Sequence, residues 1–183
     1  MKLTSEAFKN EGQIATRYTC DGEDIHPPLQ ITDPPKRVKS YCLIMDDLDA
    51  TDDAGWNFLH WTMWNIHPHT TAINAGKVPD GVTQGRTSFG NYHYGGPCPP
   101  GEKAHRYRFR LFALSKELEV SPDSNAEGLE EEIAGSVLDE AELFGTYDRN
   151  GMPMWEKRTE EELGPPPDKS RMPPGEDFGY REE

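Results

Sequence analysis

Residues 95–113 constrain the fold of this chain more than any other stretch of its sequence. The first seven of them contain three glycines and three prolines. Proline fixes φ and glycine opens positive φ, so these seven residues predict a stiff loop of defined shape. From position 105 the side chains alternate, with one face formed by His105, Tyr107, Phe109, Leu111 and Ala113 and the other by Arg106, Arg108 and Arg110. This period of two predicts a half-buried β-strand that leaves the loop directly.

The polar pair His105 and Tyr107 stands at the entrance of this predicted strand, with apolar residues deeper on the same face. An apolar wall with a few polar groups at its mouth is typical of small-molecule pockets. We therefore expect a small pocket where the loop meets the strand.

A second strand is predicted for residues 38–45, which form a nearly continuous apolar run. The run ends in the carboxylates of Asp46, Asp47 and Asp49. Such a group is often no more than a solvated turn, because Asp favours turns through its own side-chain hydrogen bonds. The residues alone do not distinguish a solvated turn from a role in the pocket.

A third strand is predicted for residues 58–66, with His60, Thr62, Trp64 and Ile66 on one face. A lone histidine in such a strand is more often structural than a ligand. His60 becomes a candidate because His105 lies on a separate predicted strand. A carboxylate beside each imidazole would fix its tautomer and favour its protonated form.

Helical structure is predicted after residue 121, because Leu129, Ile133, Val137 and Ala141 recur at a spacing of four. Two glycines interrupt this stretch, so two short helices are favoured over one long helix. Residues 150–183 contain six prolines and few aliphatic residues. They are expected to form an acidic, Pro-rich tail, disordered or loosely docked, after a single domain at residues 1–149.

The net charge of −14 lies mostly outside the segments that carry the motifs. Residues 121–144 hold eight carboxylates and no Lys or Arg, whereas residues 1–120 contain 15 acids and 13 bases. Binding to a phosphate backbone needs a basic footprint, so a nucleic-acid partner is not expected. A local pocket for one small anion is compatible with this charge distribution.

The three cysteines are odd in number and form no Cys-x-x-Cys pair, so they predict neither a disulfide framework nor a structural zinc site. Cys42, within a predicted strand, should be inert, and Cys98, in the loop, should be the more reactive thiol. No apolar run approaches the roughly 18 residues of a membrane span, and the N-terminus lacks the regions of a signal peptide. We therefore expect a cytoplasmic protein without a transmembrane segment.

Several motifs resemble those of one known family. They are Gly-Gly-Pro-Cys-Pro-Pro at 95–100 followed by His-Arg-Tyr at 105–107, Asp-Leu-Asp-Ala at 47–50, His60-Trp61 with Asn65-Ile66, and Gln84-Gly85-Arg86 with Phe89-Gly90. Over roughly residues 3–148, and in the same order, they resemble the phosphatidylethanolamine-binding protein (PEBP) family in its prokaryotic YbhB/YbcL, Raf-kinase-inhibitor-like branch. Leu48 and Thr51 stand where the family pattern Asp-Pro-Asp-Ala-Pro has prolines.

The resemblance implies a mostly β fold, an antiparallel β-sandwich with short C-terminal helices. It also implies a non-enzymatic anion site for the phosphate of a phospholipid head group, a nucleotide or a phosphorylated side chain, without a cofactor. The site residues carried over are Asp47, Asp49, His60, Pro100, His105 and Tyr107. A kinase or protease could be inhibited or modulated as a protein partner, and the chain could form a homodimer.

Two enzymatic alternatives use the same region of the sequence. Two histidines and two carboxylates could hold a divalent metal ion, since imidazole and carboxylate suit several transition metals. Cys98 and His105 could instead act as nucleophile and base of a hydrolase. A phenol beside a rigid Pro/Gly loop fits an anion better than a metal, and no nucleophile-elbow or phosphate-cradling glycine motif is visible.

Overall fold

The computed structural model describes residues 1–51, 55, 57–100, 103–124 and 126–149. The predicted tail at 150–183 therefore lies outside the described residues. The elements in chain order are β1 (Lys2–Thr4), β2 (Gly12–Gln13), a 3-10 turn (Thr16–Tyr18), β3 (Leu29–Thr32), β4 (Ser40–Thr51), β5 (Asn57–Ile66), β6 (Ala72–Ile73), β7 (Thr83–Gln84), β8 (His105–Leu114), α1 (Ala126–Ala134) and β9 (Val137–Tyr147).

The strands form two sheets. The larger has the order β2-β9-β8-β4-β5-β7, and the smaller has the order β1-β3-β6. Neighbouring strands are antiparallel, except that the short β2 runs parallel to the end of β9. The mostly β sandwich predicted from the sequence is thus confirmed.

The inner core lies between the two sheets. The large sheet contributes every second residue of β4 and β8, because alternate side chains of a strand point to the same face. The small sheet contributes its own apolar residues against them. The core includes Leu3, Leu29, Ile31 and Ile73 from the small sheet and Tyr41, Leu43, Met45, Phe109 and Leu111 from the large one.

The outer face of the large sheet is covered by the helix α1. Leu129 and Ile133 of the helix are buried with Ile44 and Phe112 of the sheet. At about 25 cal/mol per Å² of apolar surface, burying such side chains contributes roughly 2 kcal/mol each. The helix is therefore held by its packed face and not by its length of nine residues.

The second helix predicted for residues after 135 is wrong. Val137 and Ala141 lie on the strand β9, which pairs with β8 along its length. Within β9 the buried residues Ala141, Leu143 and Tyr147 follow a period of two. Gly135 directly follows the last residue of the helix. Residues spaced four apart lie on one face of either a helix or a strand, so the positions of Val137 and Ala141 could not distinguish a helix from a strand.

The predicted common face of β5 is also wrong, because two bulges interrupt the strand. Tyr41 pairs with Ile66 but Leu43 pairs with Met63, so β5 holds an extra residue near Asn65. Asn65 has a φ of 58°. As a result Trp64 packs in the outer cluster whereas Ile66 packs in the inner core.

Among the described residues, no helix has the length and apolarity that a membrane crossing requires.

Candidate functional site

The candidate site lies where the end of β4 meets the beginnings of β5 and β8. Asp47 is paired with Tyr107 of β8 on one side and with Phe58 of β5 on the other. This register brings the segments around Asp47, His60 and His105 together although they are far apart in the sequence. The junction of loop and strand, where the sequence predicts a pocket, lies at this end of the sheet.

Asp47 and His105 form a buried pair. The Nδ1 atom of His105 lies 2.8 Å from Oδ2 of Asp47, and the two residues are 8% and 3% exposed. The carboxylate accepts from Nδ1–H, which fixes the tautomer and leaves Nε2 as the ring nitrogen that can face a ligand. When the ring is protonated, Nε2–H becomes a charge-assisted donor while Asp47 keeps its partner.

The second bulge of β5 falls at His60. Met45 pairs with Trp61 and Asp46 pairs with Leu59, so His60 has no partner on β4. Bulges re-aim side chains at functional sites. Here the bulge directs His60 inward, where its ring lies 5.1 Å from that of Tyr107 at an angle of 90°.

His60 is oriented by the backbone and not by a carboxylate. Its Nδ1–H donates to the carbonyl of Gly95 at 2.7 Å, and the Gly95 N–H donates to the His60 carbonyl at 3.0 Å. Burial lowers the pKa of His60, opposed by the Gly95 bond and by the negative charge of Asp47. The ring is therefore neutral near pH 7, with Nε2 unprotonated.

The hydroxyl of Tyr107 is the unsatisfied group of the site. It is buried, and its Oη makes no hydrogen bond of normal length and angle within the described residues, although the Asp47 carboxylate and the Cys98 N–H lie nearby. Burial raises the pKa of Tyr107, with a further increase from the nearby Asp47 carboxylate and a small decrease from the Cys98 N–H. Tyr107 is thus a neutral donor at all ordinary pH values.

Two phenylalanines also lie beside the His60 ring. The ring of Phe58 is 5.3 Å and that of Phe89 is 5.2 Å from the imidazole. Sequence reasoning did not select either residue for the site. Phe58 could have been selected because it precedes His60 by two residues on the same strand. Phe89 could not, because only the fold of its loop brings it next to His60.

Residues 94–100, which we call the site loop, are packed closely against a neighbouring ring and neighbouring backbone. A Cβ atom at Gly95 would lie 2.4 Å from the ring of Phe89, and one at Gly96 would lie 2.6 Å from the Tyr18 carbonyl. Both contacts are closer than side chains allow, so glycine is required here. Pro100 is exposed at the end of this loop.

The absence of a disulfide predicted from the cysteine count is wrong. Cys20 and Cys98 are joined, with sulfur atoms 2.06 Å apart, and Cys42 is the free, buried cysteine that makes the number odd. No local sequence motif predicts this disulfide, because the two cysteines are 78 positions apart. The bond also corrects the prediction that Cys98 is a reactive thiol or a nucleophile for His105, since its sulfur is already bonded.

The predicted site residues are only partly brought together. Asp47, His60, His105 and Tyr107 lie beside one another. Asp49 instead accepts from the Arg106 backbone N–H at 2.8 Å. Residues 48–50 have no pairing partner on β5, which lets Asp49 turn towards Arg106. Among the described residues, His105 is thus the imidazole of the two that has a carboxylate as its hydrogen-bond partner, contrary to the expectation of one for each ring. The described residues contain no group of three or more His, Cys, Asp or Glu arranged to hold a metal ion.

The arrangement can offer a ligand one phenol and two imidazole Nε2 atoms around a buried carboxylate. The Nδ1 atoms are both committed to oxygen acceptors, so the two rings cannot rotate freely. A group that binds here must accept from Tyr107 and either accept from, or donate to, each Nε2 according to its protonation.

The chain matches known proteins over most of its length. Residues 4–148 match the family model described as phosphatidylethanolamine-binding protein. A UPF0098 protein of Methanothermobacter thermautotrophicus is 44% identical over 154 residues, which cover 81% of this chain and 99% of that protein. A UPF0098 protein of Aquifex aeolicus is 41% identical over 156 residues, covering 82% of this chain and 90% of that protein.

Two crystal structures share the fold. A PEBP homologue from Chlamydia trachomatis superposes with a TM-score of 0.76 at 34% identity, covering 81% of this chain and 97% of that chain. Escherichia coli YbcL, described as a member of the mammalian PEBP family, gives a TM-score of 0.74 at 29% identity, covering 80% and 97%. Since the match spans all the strands that carry Asp47, His60 and His105, this chain belongs to the phosphatidylethanolamine-binding protein family, in the branch that includes YbcL.

Proposed function

We propose that this protein binds small phosphorylated ligands through their anionic group at the site around Asp47, without converting them chemically. The observation that carries the proposal is the buried Oη of Tyr107, which has no hydrogen bond of normal length and angle within the described residues. Leaving a buried polar group unpaired costs about 1–3 kcal/mol. An oxyanion that accepts from Tyr107 would relieve this cost.

The charges of the site suit an anion that brings or attracts a proton. His105 gains an Nε2–H donor on protonation while it stays paired with Asp47 at 2.8 Å. His60 is neutral because burial lowers its pKa. Its Nε2 can accept a hydrogen bond from a protonated ligand oxygen, and a phosphate monoester keeps such a proton mainly below its second pKa of about 6.

The ligand class is a phosphoryl group on a small carrier. The family name points to phospholipid head groups, and nucleotides or phosphorylated side chains present the same oxyanion. A protein partner such as a kinase or protease would be inhibited or modulated by binding at this sheet end. Non-enzymatic binding is supported by the bond between Cys98 and Cys20, which occupies the candidate nucleophile.

Calorimetry with sulfate at pH 8, 7 and 6 tests the anion site. Sulfate keeps its charge over this range, so binding that strengthens as the pH falls would report the uptake of a proton by the site. His105→Ala removes a charge-assisted donor worth about 1.5–3 kcal/mol and should weaken sulfate binding by about tenfold or more. Tyr107→Phe removes one neutral donor and should cost less. His69→Ala, an exposed histidine in the loop after β5, is the matched control and should change nothing.

Phosphoethanolamine, a nucleoside monophosphate and phosphoserine, titrated in parallel, identify the carrier by their relative affinities. Affinity for sulfate that is independent of pH and unchanged by His105→Ala would overturn the anion site. Turnover of generic ester substrates that is lost in His105→Ala would favour a hydrolase instead of a binding protein.

A further inference from the structure

The disulfide between Cys20 and Cys98 ties the site loop to the segment that follows the 3-10 turn. The Cα atoms of the two cysteines are 5.5 Å apart although 78 positions separate them in the sequence. Cys98 is also the residue whose N–H lies near the Tyr107 hydroxyl. The bond therefore attaches directly to the wall of the site.

Hydrogen bonds run alongside the disulfide between the same two segments. The Cys20 N–H donates to the Pro97 carbonyl at 3.2 Å, and the Gly96 N–H donates to Asp24 Oδ1 at 2.7 Å. The Tyr94 hydroxyl donates to the Tyr18 carbonyl at 2.6 Å. The disulfide is the covalent member of this set, and the other members depend on the segments staying aligned.

The opposite side of the site loop holds an imidazole of the site. Gly95 and His60 exchange two hydrogen bonds, one of which fixes the tautomer and orientation of the His60 ring. A continuous connection thus leads from Cys20 through Cys98 and Gly95 to His60. If the segment around Cys20 becomes mobile, the orientation of the His60 ring in the site becomes less well defined.

We propose that the Cys20–Cys98 disulfide positions the site loop, so that its reduction loosens this loop and weakens anion binding. The inference rests on the proposed function for its effect on binding, but not for its effect on the loop. A bound anion needs the Cys98 backbone and the His60 ring in place. When the disulfide is open, part of the binding free energy is spent on ordering them.

The reductant we propose is a dithiol. One of its thiolates attacks Sγ of Cys98, which is half-buried and more accessible than the 7% exposed Cys20. The S–S bond breaks, Cys20 leaves as a thiolate, and a mixed disulfide forms at Cys98. The second thiol of the reductant then displaces Cys98. Two electrons and two protons pass to the cysteine pair, and the dithiol becomes a disulfide.

This chemistry makes the anion affinity of the site depend on the redox conditions around the protein. Structural disulfides persist in oxidising compartments, whereas thiol systems keep most cytosolic cysteines reduced. The same chain would bind its ligand more tightly where the pair is oxidised than where it is reduced.

Sulfate affinity of the oxidised and the dithiol-reduced protein is the first measurement. Reduction should weaken binding by about fivefold or more, as expected for the loss of preorganisation of one loop. The double variant Cys20→Ala/Cys98→Ala should bind as weakly as the reduced protein and should not respond to the dithiol. Equal affinity of the oxidised and reduced proteins would overturn the proposal.

Amide hydrogen exchange at Gly95 and Gly96 is the second measurement and does not need a ligand. Exchange at these two positions should accelerate on reduction, while that at Leu43 and Leu111 in the central strands should not. Unchanged exchange at Gly95 and Gly96 would overturn the proposal, and so would equal acceleration at Leu43 and Leu111, which means general destabilisation. Faster exchange in the loop, with no sulfate binding in either state, would support the positioning role and overturn the proposed function alone.

Discussion

The imidazole of His26 is a buried titratable group outside the candidate site. It is 3% exposed and stacks on Trp61 with ring centroids 4.5 Å apart. Its Nδ1–H donates to the Pro27 carbonyl at 3.1 Å, and its Nε2 has no hydrogen bond within the described residues. Burial lowers the pKa of His26, and the bond to Pro27 only partly opposes this. The folded protein therefore keeps His26 neutral.

His26 should make the protein less stable in acid. As the pH falls below about 6.5, the histidine of the unfolded chain takes up a proton that the folded chain does not, so the free energy of unfolding decreases. His26→Phe keeps the stacking on Trp61 and removes the titration. Its stability should fall less steeply between pH 7 and pH 5, by up to about 1.4 kcal/mol per pH unit. Urea denaturation at several pH values measures both slopes.

Some acid sensitivity should remain in His26→Phe, because burial also lowers the pKa of His60. His69→Ala, at an exposed position, should have the slope of the wild type. Identical pH dependence of the wild type and His26→Phe would show that His26 is protonated equally in the folded and unfolded chains.

No cysteine should react with a thiol reagent in the native, oxidised protein. Cys42 is 0% exposed, and burial raises its pKa to about 12, opposed by the charge of Arg110. An alkylating reagent should label no cysteine before unfolding, Cys42 alone after unfolding without a reductant, and all three after reduction. Mass spectrometry of the digested protein counts the labels. A label on Cys98 in the native protein would contradict the disulfide.

At the scale of single residues, the sequence was sufficient to select the site residues but not to predict all their hydrogen-bond partners. Asp47 and His105 could be predicted because both stand at strand ends that carry motifs. The bond from His60 to Gly95 could not, because it depends on a bulge at His60 that shifts the register of β5. A bulge adds one residue without leaving a pattern in the alternation of a fully buried strand.

At the scale of elements, the helix α1 and the strand β9 were the hardest to separate. The burial of Leu129 and Ile133 follows the helical period, and that of Ala141 and Leu143 follows the strand period. Only the pairing with β8 makes the second segment a strand, and that pairing is a property of the sheet. Tertiary context overrides local propensity in such cases.

The helix should depend on its two buried side chains. Ile133→Ala removes apolar contacts with the outer face of the sheet and leaves a cavity, which should lower the free energy of unfolding by about 2–4 kcal/mol. Glu131→Ala, on the exposed face of the same helix, should change it by less than about 0.5 kcal/mol. Chemical denaturation compares the two variants. An equally small effect of both would show that α1 adds little to the stability of the sheet.

At the scale of the whole molecule, distant loops are joined at the end of the sheet where the site lies. The disulfide connects Cys20 to Cys98, and Asp21 next to it accepts from Arg149 and from the Tyr147 hydroxyl. Tyr147 is in turn paired with His105. The sandwich itself could be predicted from alternation and motifs, whereas these connections could not, since each joins residues that are far apart in the sequence.

The boundary of the domain should lie just after Arg149. Its guanidinium binds both carboxylate oxygens of Asp21, whose side chain is 0% exposed, at 2.9 and 2.5 Å. A chain ending at residue 149 keeps this pair, and its free energy of unfolding should stay within about 1 kcal/mol of the full-length value, because residues 150–183 lack aliphatic periodicity.

Arg149→Met in the same shortened chain leaves Asp21 buried without its cation and should cost about 2 kcal/mol or more. Since both shortened chains end in the same carboxylate, urea denaturation isolates the effect of the pair. A shortened chain with Arg149 intact that precipitates or unfolds far earlier than the full-length protein would mean that residues beyond 149, such as Trp155, contribute to the core.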